Sequence, residues 1–145
     1  VPTKKPPHAF TAEAPLHGAQ VAVVDDQQLN RRIARLMLEK AGATAYEFED
    51  GSALLNALRT PLGDQLHAVL MDLQMEPMDG LQTTRLIRAE TQASWHTLPI
   101  IAMTGNLMEE ENVATEKAGM NGFLSKPLNY ETFIEQLRIA LNKTL

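Results

Sequence analysis

Cysteine is absent from the 145 residues. That excludes disulfides, thiolate metal sites and a cysteine nucleophile, and it fits a reducing cytoplasm. No apolar run approaches the ~18 residues a membrane span needs. The opening "VPTKKPPHAFTAEAPLHG" has two lysines but no apolar core of a signal peptide. Positive charge is not in excess either. The formal net charge is -5 and the pI about 5.3, so a basic face for nucleic acid is not expected. No glycine-rich phosphate loop follows the first strand candidate, which argues against a flavin or nucleotide binder. His8, His17, His67 and His96 show no metal-ligand spacing, and no internal repeat is present.

What remains is one domain's worth of ordinary globular sequence, 44% hydrophobic and 21% charged. Residues 1–18 carry Pro2, Pro6, Pro7 and Pro15 and few large apolar side chains. That segment reads as a linker or disordered tail, as if cut from a longer chain. From residue 19 onward, short apolar runs alternate with helical patterns. Strands are expected at 20–24, 43–48, 67–71, 98–103 and 122–125. Helices are expected at 27–41, after Gly51 and before Pro61, from Asp79 to about Glu90, at about 107–118, and after Asn129. In the helix at 27–41, Leu29, Ile33, Leu36 and Met37 fall on one face, read as facing the core, although Leu29 fits a partner contact equally well. Trp95 and His96 fall in a polar stretch and are expected at the surface, whereas Met71, Met75 and Met78 read as gap-filling core residues. Five strand-helix pairs imply an α/β, doubly wound parallel sheet with helices on both faces.

Ligands of such sheets bind outside the carboxyl ends of the strands. There the first strand ends in Asp25-Asp26, the third in Asp72, the fourth in Thr104 and the fifth in Ser125-Lys126-Pro127. Three carboxylates on one rim repel one another and call for positive charge. Lys126 supplies one charge, and a hard divalent cation such as Mg2+ suits a site of few carboxylates, carbonyls and waters. An ionised Asp beside a metal can attack phosphorus. Any one of these residues alone would be a turn former, a cap or a solvated charge; four chain segments meeting at one rim are harder to dismiss.

Asp25-Asp26, "LMDLQMxxMDG", "MTGN" and "FLSKP" resemble the receiver domain of two-component response regulators, over about residues 19–143. The wording "DDQQLNRR" and "MDLQM" is most similar to receivers attached to hybrid sensor histidine kinases. The resemblance implies a flavodoxin-like sheet in the order 2-1-3-4-5. It implies that Asp72 is the phosphoacceptor and also a metal ligand, that Asp26 ligates Mg2+ directly and Asp25 through water, and that the Gln74 carbonyl completes the protein ligands. Thr104 would bond the phosphoryl oxygen, Lys126 would pair with it, and Phe123 would be the switch aromatic. Gly105 would leave room for the phosphoryl group, while Gln74 and Asn106 would tune access of attacking water. One departure stands out: the family commonly has proline four residues after the acceptor, where this chain has Glu76, with Pro77 one later. Pro77 pushes Glu76 towards an extended conformation, and Glu76 adds an acid near an anionic site.

The function implied is acceptance of a phosphoryl group from a phosphohistidine, in a cytoplasmic domain whose implied parent is a hybrid kinase, with the inner membrane as the place where such a parent would be anchored. No histidine here sits in a kinase phosphorylation motif, so the donor lies elsewhere. The implied partners are a histidine kinase core or a histidine phosphotransfer protein, docking near Leu29, Arg32 and Pro127-Leu128, and a second copy of the domain on phosphorylation. No nucleic acid or membrane contact is expected. The alternatives are a pseudo-receiver acting only as an interaction module, and a stand-alone response regulator. A phosphatase of the dehalogenase type wants a second Asp two residues after the nucleophile, and that position is Gln74.

Overall fold

The computed structural model describes residues 14–75, 78–105 and 109–142. Its strands are β1 (Gln20–Val24), β2 (Thr44–Phe48), β3 (Ala68–Asp72), β4 (Ile100–Thr104) and β5 (Gly122–Ser125). The helices are α1 (Gln28–Lys40), α2 (Gly51–Leu58), α3 (Leu62–Gln65), α4 (Gly80–Ala89), α5 (Glu109–Ala118) and α6 (Tyr130–Asn142). The five strands form a single sheet in the order β2-β1-β3-β4-β5, parallel at every pairing. Central β3 and β4 are buried throughout, as parallel strands covered on both faces must be.

The two-residue period of a strand divides the core. Val21, Val23, Leu70, Ile101 and Met103 point to the side covered by α1 and α6. Ala22, Val24, Val69, Met71 and Ile100 point to the side covered by α2, α3 and α4. Side chains begin the helices where the sequence offers them. The Asp50 carboxylate accepts from the Ala53 N–H at 2.8 Å. Asp79 and Gln82 form a reciprocal capping box, and Asn129 Oδ1 accepts from Thr132 N at 3.2 Å. Gly42 follows α1 at φ +91°, a left-handed conformation that ends a helix most easily in glycine.

Four expectations need correction. The apolar stripe of α1 meets the core only at Met37, which packs against it partly buried; Leu29 is 68% exposed, Leu36 60% and Ile33 39%. The helix instead buries Ala34 and Leu38, because the small Ala34 lets it approach the sheet closely. Trp95 is buried among Leu58, Leu66 and Leu98. It closes over α3, a short helix that no periodicity in four residues could announce. Within the segment read as a linker, residues 14–18 pack on the domain. Leu16 is fully buried in the core, and its N–H donates to the Ala41 carbonyl at 2.8 Å. Lastly, β3 runs to Asp72 and β4 to Thr104, one residue beyond the expected ends, so both polar residues are themselves the last members of their strands.

Candidate functional site at the carboxyl rim of the sheet

Asp25, directly after β1, is fully buried, and Asp72 at the end of β3 is nearly so. Asp26 is exposed. One carboxylate oxygen from each of the three lies within 4.8 Å of the others. Lys126, directly after β5, reaches in from the far side of the sheet. Its Nζ sits 3.1 Å from Asp25 Oδ2 and 3.2 Å from Asp72 Oδ1. Main-chain donors complete the shell: Gln27 N–H to Asp25 Oδ1 at 2.9 Å and Gln74 N–H to Asp72 Oδ1 at 3.2 Å.

Burial holds the Asp72 carboxyl above its ordinary pKa, and the neighbouring Asp25 pushes it further; Lys126 and the Gln74 N–H offset part of this. Burial alone would lower the Lys126 pKa, but its bonds to Asp25 and its attraction to Asp72 prevail, and the net shift is upward. The ammonium is therefore charged at neutral pH. Three carboxylates against one ammonium leave the site short of positive charge. The donors are hard oxygens, the type that magnesium and calcium take. The residues present thus fit a hard divalent cation.

Thr104 is buried at the end of β4, and its carbonyl accepts from the Lys126 N–H at 2.8 Å, which ties the hydroxyl-bearing and ammonium-bearing strand ends together. A Cβ placed on Gly105 would meet nothing within 4 Å, so the rim is open there. Gln74 is exposed beside Asp72. Phe123 stands apart on the edge strand β5, 40% exposed. Glu76 and Asn106 lie outside the described residues.

Three residues that sequence reasoning passed over support the rim. Gly80 begins α4, and a Cβ there would fall 2.3 Å from the Asp72 carbonyl oxygen and 2.9 Å from Met71 Cγ. The "MDG" spacing was the available signal for this close approach. Arg31 Nη1 donates to the Asp25 carbonyl at 2.7 Å, and Arg31 pairs with Glu47 on β2. Nothing in the sequence links those two, because the pairing crosses from a helix to an edge strand.

Comparison with known proteins agrees with this geometry. The family model described as "Response regulator receiver domain" matches residues 21–138. Histidine kinase 2 of Arabidopsis thaliana is 37% identical over 135 residues, covering 80% of this chain and 11% of that protein. The sensor histidine kinase GacS of Pseudomonas protegens is 35% identical over 126 residues, covering 86% of this chain and 13% of that protein. This chain therefore spans only a small part of the length of these curated relatives. Among solved structures, the chemotaxis protein CheY4 of Vibrio cholerae superposes with a TM-score of 0.74 at 26% identity, covering 84% of this chain and 98% of that one. A response regulator receiver protein from Pseudomonas putida gives 0.71 at 30% identity, covering 83% and 96%. A parallel sheet in the order 2-1-3-4-5, an acidic cluster at its carboxyl rim and a match over most of the chain lead to one conclusion: the protein belongs to the response regulator receiver domain family of two-component signalling.

Proposed function

We propose that Asp72 is the phosphoacceptor of this receiver and that the chain is part of a hybrid sensor histidine kinase. The observation that carries the first statement is the Asp25, Asp26 and Asp72 cluster with Lys126 bonded to two of its members. An Asp72 oxygen attacks the phosphorus of a phosphohistidine; the O–P bond forms as the P–N bond breaks, and the imidazole nitrogen leaves with the electron pair. Lys126 holds the Asp72 oxygen and later faces the phosphoryl group. Asp26, the exposed acid, Asp72 and the Gln74 carbonyl would hold Mg2+ directly, and Asp25 would act through water. Mg2+, when bound, supplies the positive charge that three carboxylates and one ammonium lack.

Phosphorylation adds charge and three strong acceptor oxygens. The Thr104 hydroxyl turns to bond them, and Phe123 moves inward behind it. That shifts the population towards a form with a different surface around α5, β5 and α6. Gly105 admits the phosphoryl group, and Gln74 and Asn106 set how readily water follows it.

The donor docks on the exposed apolar stripe of α1. Ile33, in the middle of that stripe, lines a groove together with Asp25, Lys126, Pro127 and Leu128, so a helix-borne phosphohistidine seated there would face the acid cluster. Among the described residues no helix is long and apolar enough to cross a membrane. The test is transfer of labelled phosphate from a phosphorylated histidine phosphotransfer protein. Labelling is expected for the unaltered chain and not for Asp72→Asn; undiminished labelling of that variant sinks the assignment.

A further inference from the structure

Arg31 stands behind the acid cluster rather than within it. Its Nη1 donates to the Asp25 main-chain carbonyl at 2.7 Å, while its Nε lies 3.4 Å from Glu47 Oε1. Among the described residues, Glu47 is the only carboxylate within ion-pair distance of Arg31. The preceding Val24–Asp25 peptide is fixed as well, since the Asp25 N–H donates to the Phe48 carbonyl at 3.1 Å. Asp26 springs directly from the peptide that Arg31 holds, and it is the exposed acid of the three.

Charge gives the pairing a second consequence. Glu47 also holds Arg35 at 2.9 Å, and Arg35 in turn holds Glu39. Two guanidiniums and two carboxylates cancel, so a cation close to the acid cluster adds little net counter-charge to it. Without Glu47, the Arg31 guanidinium would be free to turn towards the carboxylates and compete with a metal.

We infer that Arg31 is a positioning residue for the metal-binding carboxylates: it fixes the Asp25–Asp26 peptide, and Glu47 keeps its charge out of the site. This rests on the metal-site reading above. Outer-shell groups of this kind commonly change metal affinity 10–100-fold when removed.

A single Arg31→Gln change mixes two opposed effects, a looser peptide and a more negative surrounding. The double variant Arg31→Gln/Glu47→Gln replaces a neutral pair by a neutral pair and leaves the positioning effect. Isothermal titration with Mg2+ is expected to show a Kd raised roughly tenfold. Amide exchange at Asp25 and Asp26 is expected to quicken in the metal-free chain. Arg35→Gln, which touches Glu47 but not Asp25, is expected to stay within twofold. Arg31→Lys keeps the charge and loses the fork, and it is expected to fall between the unaltered chain and the double variant. A folded double variant that binds Mg2+ as tightly as the unaltered chain overturns the inference. Should the double variant not fold, unchanged affinity in Arg31→Lys overturns it instead. Absence of saturable Mg2+ binding by the unaltered chain overturns the metal-site reading, and the inference with it.

Discussion

Helices α1 and α6 are each 13 residues long and contribute to the same core cluster on one side of the sheet. They treat their apolar residues differently. α6 buries Phe133, Ile134, Leu137, Ala140 and Leu141. α1 buries only Ala34 and Leu38, while Leu29, Ile33 and Leu36 face outward. An apolar stripe at helical spacing therefore marks a surface that must be covered, without saying by what. For α6 the cover is the sheet. For α1 it is the proposed phosphohistidine partner, and Ala34 and Leu38 take the inward face. A leucine side chain removed from water stabilises by about 1.5–3 kcal/mol; on α1 that gain is held back for association.

The contrast can be broken most directly at Phe133, which is fully buried. Phe133→Ala is expected to lower stability by about 3–5 kcal/mol in urea unfolding. A loss under about 1 kcal/mol would show that α6 is not the packed helix of the pair. Leu38→Ala, on the inward face of α1, is expected to cost about 2–5 kcal/mol. That variant separates the two faces of α1 within one helix.

A smaller effect comes from the charged rim to which both helices are adjacent. Because the Asp72 pKa is raised on folding, the folded chain binds a proton more readily than the unfolded one. Stability from this group is lost as pH rises through the folded value and is recovered as pH falls towards the unfolded value of about 3.9. Asp72→Asn is therefore expected to be more stable than the unaltered metal-free chain at neutral pH. The difference is expected to shrink on acidification, read as paired melting curves across pH. A difference that grows on acidification would reverse the sign argued here.

The smallest stability change, and the most informative for function, is expected at Leu36. Leu36→Ala should shift unfolding by no more than about 0.5 kcal/mol while lowering the rate of phosphotransfer roughly tenfold, as loss of an interface anchor does. Equal phosphotransfer rates would remove α1 from the docking surface.

Particular residues show what the chain disclosed and what it withheld. The strands were legible because a buried parallel strand is a short apolar run, as in "HAVLM" and "LPIIAM". Asp25, Asp26, Asp72 and Lys126 were legible as a group because parallel strands bring all their carboxyl ends to one rim. The facing of α1 was not legible, because Ala34 carries too weak a hydrophobic signal beside three large aliphatic neighbours. Leu16 was hidden by the prolines around it, although one well-placed leucine suffices to pack a segment. Trp95 was hidden by polar neighbours, since burial of one large ring against α3 leaves no period to read.

Lys126 meets Asp25 across 101 residues of chain and Asp72 across 54. The ammonium therefore reaches the acids only after the fifth strand has joined the sheet. During synthesis, the acids of the first and third strands are made long before their counter-charge. A nascent or clipped chain ending before residue 126 would carry the proposed acceptor but not its site. On the proposed function, competence to be phosphorylated would therefore depend on the fifth strand having joined the sheet.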